Sequence, residues 1–181
     1  MAEDDRGRWD ERYAGAGSPQ LSEVGPPRFV ARHAELFPTS GRALDLACGQ
    51  GRGAVWLGRR GLDVWACDVS PVAIEQAREL ARLAGVADRC RFDVFDLDDG
   101  LPAGPAVDVV LCHNFRDRRL DEAIIERLAP GGLLAIAALS EVGAAPGPFR
   151  ATPGELLAAF AGLELVDAGE GDGHAWLVAR G

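Results

Sequence analysis

Leu44-Asp45-Leu46-Ala47-Cys48-Gly49-Gln50-Gly51-Arg52-Gly53 decides the reading of this chain, because it sets a glycine-rich turn directly between an apolar strand and a helix. The strand is expected over Arg42 to Ala47 and the helix over Ala54 to Arg60. Outward from there, apolar runs alternate with helix-period segments. Leu62 to Cys67 reads as a second strand. Ser70-Pro71 then starts a helix, with a serine cap and a proline at the first helical position, that runs to about Ala84 and ends at Gly85. Arg91 to Phe95 alternates as a third strand, and Val107 to Cys112 is apolar throughout, as a central buried strand is. A helix from Arg119 to Leu128 follows, then a turn, Ala129-Pro130-Gly131-Gly132, that launches a strand from Leu133 to Leu139. This βαβα rhythm predicts an α/β fold with a mainly parallel sheet covered by helices on both faces. Beyond a Gly/Pro-rich loop over Gly143 to Pro153 and a helix near Gly154 to Phe160, the strands Leu163 to Ala168 and Ala175 to Ala179 lie too close together for a parallel crossover. They are expected to form an antiparallel hairpin.

The 181 residues fit one three-layer globular domain, 41–181, preceded by an arm over 1–40 that reads as a lid. Apolar residues make up 48% and charged residues 26%, an ordinary folded composition. The net charge of −9 repels polyanions, so nucleic acid is not expected as a partner. The charged opening and the lack of a long apolar run predict neither a secretory signal nor a membrane partner and place the protein in the cytoplasm. Cys48, Cys67, Cys90 and Cys112 are spread without a CxxC pair, which suits reduced packing thiols rather than a metal site.

In an open α/β sheet, ligands bind beyond the carboxyl ends of the strands, where the Gly49–Gly53 turn sits. Glycine there lets a ligand approach the backbone, and the following helix start offers N–H groups to an anionic part of it. A tight strand-to-helix turn would need the same residues. Asp68 adds weight: it ends the second strand, 17 positions beyond Gly51, where a carboxylate accepts both hydroxyls of an adenosine ribose. Asp96 follows the third strand and is placed to accept from an adenine amino group, with Val69 and Leu97 as apolar walls, although Asp93, Asp98 and Asp99 also make this a solvated acidic stretch.

Together these segments resemble class I S-adenosylmethionine (SAM)-dependent methyltransferases. The glycine loop is similar to the family's first motif and Val64-Trp65-Ala66-Cys67-Asp68-Val69-Ser70 to its second. Phe92 to Leu97 resembles the third, and Leu128-Ala129-Pro130-Gly131-Gly132-Leu133 the turn before strand five. The resemblance implies a three-layer Rossmann-like methyltransferase fold, a seven-stranded mainly parallel sheet ending in the antiparallel hairpin. It also implies SAM as cofactor, S-adenosyl-L-homocysteine as product, and a cofactor-binding set of Asp45, Ala47, Cys48, Gly49, Gly51, Asp68, Val69, Asp96, Leu97 and Cys112. Trp9-Asp10-x-Arg12-Tyr13 and His113-Asn114-Phe115-Arg116-Asp117-Arg118 are similar to small bacterial proteins of the tellurite-resistance and thiol-methylating group, which implies substrate or lid roles for Trp9, Arg12, Tyr13, Asn114, Phe115 and Arg118.

Methyl transfer is an in-line displacement, so positioning and exclusion of water carry most of it. The acceptor is expected to be a small molecule with an oxygen, sulfur or nitrogen nucleophile, selected by the arm, by His113 to Arg119 and by Glu141 to Thr152. His113, ending strand four, is the candidate base; the alternative is a wall residue. Trp9 and Tyr13, four apart on a helix face, either close over the ligands or anchor the arm. Two other readings stay open: a SAM-binding or partner-binding protein without catalysis, and an NAD-dependent oxidoreductase, since Gly49-x-Gly51-x-x-Ala54 also meets the relaxed dinucleotide pattern. Either a monomer or a homodimer is compatible with the sequence.

Overall fold

The computed structural model describes residues 3–147 and 149–181, with side chains from residue 6; Met1, Ala2 and Pro148, which belong to the expected arm and acceptor loop, lie outside the described residues. The strands are β1 (Arg42–Leu46), β2 (Asp63–Asp68), β3 (Cys90–Val94), β4 (Val107–His113), β5 (Leu128–Ser140), β6 (Arg150–Ala151), β7 (Glu164–Gly171) and β8 (His174–Arg180). The helices are α1 (Glu3–Ala16), α2 (Arg52–Arg60), α3 (Pro71–Leu83), α4 (Asp121–Arg127) and α5 (Glu155–Ala159). The sheet order is β3-β2-β1-β4-β5-β8-β7, with β6 beside β5. The β1–β2, β2–β3, β1–β4, β4–β5 and β5–β6 pairs are parallel, and β8 runs antiparallel to both β5 and β7. The chain leaves β1 for β2 on one side and later returns to place β4 on the other. That reversal puts the glycine loop at the switch point, where an open parallel sheet has its crevice.

Strand alternation sorts the core into two layers. Ala43, Val109 and Leu111 face the layer of Leu57, Ile74, Leu80 and Phe92 from α2, α3 and β3. Leu44, Leu46 and Val110 face the opposite layer, with Ile124 of α4 and Phe160 just after α5. Asp45 therefore points to the α2 side and is 3% exposed.

Three features depart from the sequence reading. The Ala129–Gly132 turn lies inside a continuous β5: Val107 pairs with Leu128 and Val109 with Leu133, so the extra residues bulge out of register rather than ending the strand. A short β6 joins the sheet within what reads as loop, with Leu139 and Ser140 opposite Arg150 and Ala151. The hairpin strands run further than expected, leaving Asp172-Gly173, both with positive φ (50° and 77°), as a two-residue turn of the twist-matched type. Within 1–40, the 3-10 segment Arg28–Leu36 carries Val30, fully buried, and leads into Phe37, 1% exposed and edge-on to Trp56 at 4.9 Å. That half of the arm is core.

Candidate functional site

Cys48, Gly49 and Gly51 form the turn after β1, and its glycines serve different purposes. A Cβ on Gly51, whose φ is +77°, would come within 2.7 Å of the Ala77 Cβ and 3.0 Å of Phe92. A Cβ on Gly53 would reach 2.8 Å from Leu111. These two are small so that α2 can pack against protein. Gly49 is different: a Cβ there would sit 2.8 Å from the Tyr13 hydroxyl, so the space above it belongs to the interface between loop and α1. Ala47, at φ +52°, and Asn114, at φ +61°, hold left-handed backbone immediately after the neighbouring strands β1 and β4. Side-chain-bearing residues hold that conformation at a cost of roughly 1 kcal/mol or more.

Asp68 ends β2 at 6% exposure. Its Oδ2 accepts the Gly49 N–H at 2.8 Å and its Oδ1 the Ser70 N–H at 3.0 Å, so the carboxylate ties the glycine loop to the start of α3. The Val69 N–H also stabilises the carboxylate, and with about four acceptor directions it keeps capacity for a ligand hydroxyl. Burial pushes the Asp68 pKa up against those backbone bonds, with Asp10 adding to the rise. Asp45 is held up to about 8, by burial first and the Asp68 charge second, while the Ala54 N–H opposes the shift. The unfolded chain releases this proton near the ordinary 3.8 and the folded protein keeps it, so stability should fall as pH rises from about 4 to about 8. Urea unfolding at the two ends of that window checks this: Asp45→Asn should flatten the profile.

α1 lies across the site. Asp10 accepts from the Ser70 hydroxyl and, at 3.4 Å, from the Val72 N–H; Gln76 donates to the Tyr13 carbonyl at 3.2 Å. Gln50 donates to the Gly17 carbonyl at 2.6 Å and to Gln76 Oε1 at 2.8 Å. Trp9 and Tyr13 stack at 5.8 Å, Arg12 lies 5.0 Å over the Trp9 ring, and Arg8 lies between Trp9 and Phe149 at 5.9 and 5.8 Å. Burial, then Asp68 and Cys48, drives the Tyr13 hydroxyl pKa upward and keeps it a donor.

Val69, Leu97 and Cys112 are buried. The Cys48 thiol, near the Gly49 carbonyl at 3.6 Å, and the Cys112 thiol, near that of Phe115, are both pushed up by burial and stay protonated. Asp96 spends one oxygen capping the Leu97–Asp99 turn through the Asp98 N–H at 3.0 Å. His113 is partly exposed, 5.5 Å ring to ring from Phe29; desolvation first and then His174 lower its pKa from the ordinary value.

Among the segment after β4, Asn114 is exposed, Phe115 packs partly against the α4-side core, and Arg118 is ion-paired to Glu155 at 2.5 Å rather than free for a ligand. The sequence reading gave Arg116 no role. Its guanidinium, 4% exposed, bridges Asp121 through two bonds of 2.5 and 2.8 Å and Glu155 at 2.7 Å. Asp10, Gln50, Ser70, Phe29 and Phe149 also join the site unforeseen. Of these, Asp10, Gln50 and Ser70 lie in quoted motifs without an assigned site role, and Ser70 also reads as a helix cap.

The residues fit SAM on one observation: a buried carboxylate, Asp68, ends β2 at the switch point and fastens the glycine loop. The methyltransferase-domain family model matches residues 43–132, from β1 through the bulge in β5. The chain is 34% identical over 125 residues to methyltransferase GfsG of Streptomyces halstedii, covering 65% of this chain and 45% of that protein. It is 30% identical over 109 residues to the tRNA 5-carboxymethoxyuridine methyltransferase of Escherichia coli K12, covering 57% and 42%. The chain thus spans less than half the length of each of these curated relatives. The crystal structure of TehB from Haemophilus influenzae superposes with a TM-score of 0.72 at 22% identity, covering 84% of this chain and 61% of that one. With the sheet order, the loop at the switch point and the family match in agreement, residues 43–132 form a methyltransferase domain of the class I, SAM-dependent kind.

Proposed function

We propose that the protein transfers the methyl group of SAM to an oxygen, sulfur or nitrogen nucleophile on a small molecule. The observation that carries this reading is buried Asp68, which fastens the glycine loop while keeping acceptor capacity for a ribose. When bound, SAM supplies an electrophilic methyl on a sulfonium. Asp68 holds the ribose; Val69 and Leu97 wall the adenine, and Asp96 lies just past the end of β3 beside it. The loop from Ala47 through Cys48 to Gly51, with the Tyr13 hydroxyl above Gly49, receives the amino acid end, and Asp45 and Cys112 line the floor beneath it. Trp9, Arg12, Asn114, Phe115 and Phe149 flank the acceptor side.

In this proposal the first part of the arm is a lid. Its fastenings, Asp10 to Ser70 and Gln50 to Gly17, are polar and exchangeable with water, whereas Val30 and Phe37 are fixed in the core. Deleting residues 1–20 should reduce turnover far more than thermal stability, and equal loss of both would remove the lid. His113 is the proposed base for a hydroxyl or thiol acceptor. Its lowered pKa keeps it unprotonated at neutrality, so the rate should fall only on the acid side of about 6.5. His113→Ala should erase that limb; an unchanged profile would leave proximity and desolvation as the whole of the catalysis.

A net charge of −9 favours a small acceptor over nucleic acid. Incubating the protein with SAM and thiols, phenols, sugars, amines or bulk tRNA, and following S-adenosylhomocysteine, tests the reading. Turnover on a small molecule supports it, turnover on tRNA alone reassigns the acceptor, and SAM binding without turnover on any class makes the protein a binder.

A further inference from the structure

A cavity of about 440 Å³ lies at the opposite end of the strands from the glycine loop, where β1 to β4 begin. Its size is that of a small-ligand pocket. Four arginines, Arg42, Arg89, Arg91 and Arg127, line it against Asp63 and Asp88, with Asp93 paired to Arg91 and Asp108 beside Arg42, so arginines gather here on a molecule of net charge −9. The arginines differ in how far they are already engaged. Arg91 is paired with Asp93 at 2.6 Å and lies 4.4 Å over the Trp65 ring. Arg89 donates to the Gly61 carbonyl at 3.1 Å and meets Asp63 only at 3.4 Å, where the Asp63 side chain is 74% exposed. Arg127 donates to the Pro102 carbonyl at 2.5 Å, a neutral partner that leaves its charge uncompensated. Arg42 has no side-chain hydrogen bond or ion pair among the described residues; only its backbone N–H is used, donating to Asp108 at 2.8 Å. Trp65 and Pro105 add apolar wall.

We propose that this cleft is a second ligand site, taking the multiply charged oxyanion group of a small molecule on Arg42, Arg89 and Arg127. Guanidinium forks match phosphate and carboxylate oxygens in pairs, and two of these three lack a carboxylate partner. The site shares no residue with the glycine loop or Asp68, and the length of the strands separates the two. A ligand there would touch none of the residues proposed to hold SAM.

Isothermal titration of the whole chain with inorganic pyrophosphate, and separately with citrate, at low ionic strength tests the proposal. A single saturable site is expected, with pyrophosphate favoured if the natural group is a phosphate and citrate if it is a set of carboxylates. Arg42→Glu should weaken it by about tenfold or more, since a charge-assisted hydrogen bond is lost and a repulsion gained. Arg28→Glu, the same charge change on the 3-10 segment outside the cleft, should leave affinity within about twofold, and Asp68→Asn should leave it unchanged. In the wild type, the Trp65 indole N–H resonance should shift on titration. Absence of saturation, equal weakening by Arg42→Glu and Arg28→Glu, or a static Trp65 resonance during binding would each overturn the site.

Discussion

Asp68→Asn should weaken SAM binding by about 100-fold while the protein stays folded. The carboxylate accepts the Gly49 and Ser70 N–H groups inward, and in the proposed complex its remaining acceptor capacity takes the ribose hydroxyls. The amide replaces one acceptor oxygen by a donor, so at least one side is mispaired. Hydrogen bonds to a charged acceptor contribute about 1.5–3 kcal/mol each, and loss of the ribose pair corresponds to about 3 kcal/mol or more, hence the hundredfold figure. Calorimetry with S-adenosylhomocysteine reads the affinity, and circular dichroism melting separates that loss from a collapse of the loop. Affinity within about threefold of wild type would show that the ribose is held elsewhere and would withdraw Asp68 from the site.

The largest stability effect is expected at Arg116, which lies in the quoted segment after β4 but was given no role there. Its side chain is 4% exposed, Glu155 is 9% and Asp121 is 19% exposed, so truncation to alanine strands Asp121 and leaves Glu155 on Arg118 and Thr152 alone, in a poorly solvated position. Breaking such a pair by removing one partner costs about 3–5 kcal/mol. For a chain of this size that lowers the melting temperature by about 10 °C. Arg118 makes an instructive control. It is the largest contributor to the depression of the Glu155 pKa to about 2, ahead of Thr152 and Arg116. Yet its side chain is 61% exposed, so solvent screens the pair, and Arg118→Ala should cost less than about 1 kcal/mol. Glu155 is depressed relative to its ordinary 4.5, so the stability it adds is complete above that pH and lost as pH falls through about 2. In Arg116→Ala the acid limb of the stability profile should shrink. Equal destabilisation by the two arginine variants would mean that burial does not set the cost.

The network also has a positional consequence. Glu155 opens α5 and accepts from the Thr152 N–H and hydroxyl at 2.9 Å, so Arg116 ties the segment after β4 to the segment after β6. Both flank the proposed acceptor side. A chain that loosens there should bind SAM normally while losing acceptor affinity, which makes the KM for the acceptor a more sensitive readout of Arg116 than the cofactor Kd.

Read alone, the order of residues determined the element sequence, the glycine loop between strand and helix, the acid that closes the second strand and the antiparallel end of the sheet. Each of these is written in a local pattern: strand and helix periods, turn residues, and a linker too short for a crossover. The same pattern left the Gly49-x-Gly51-x-x-Ala54 turn readable as a dinucleotide loop, because a glycine turn looks alike whichever ligand it serves. Folding decided the rest. Gly51 answers to Ala77 and Phe92 while Gly49 answers to Tyr13; Asp10 reaches Ser70, 60 positions on; Arg116 reaches Glu155, 39 positions on; and four arginines scattered between 42 and 127 converge on one cleft. Such contacts leave no periodic trace, since burial and charge pairing act between residues that only the closed sheet brings together.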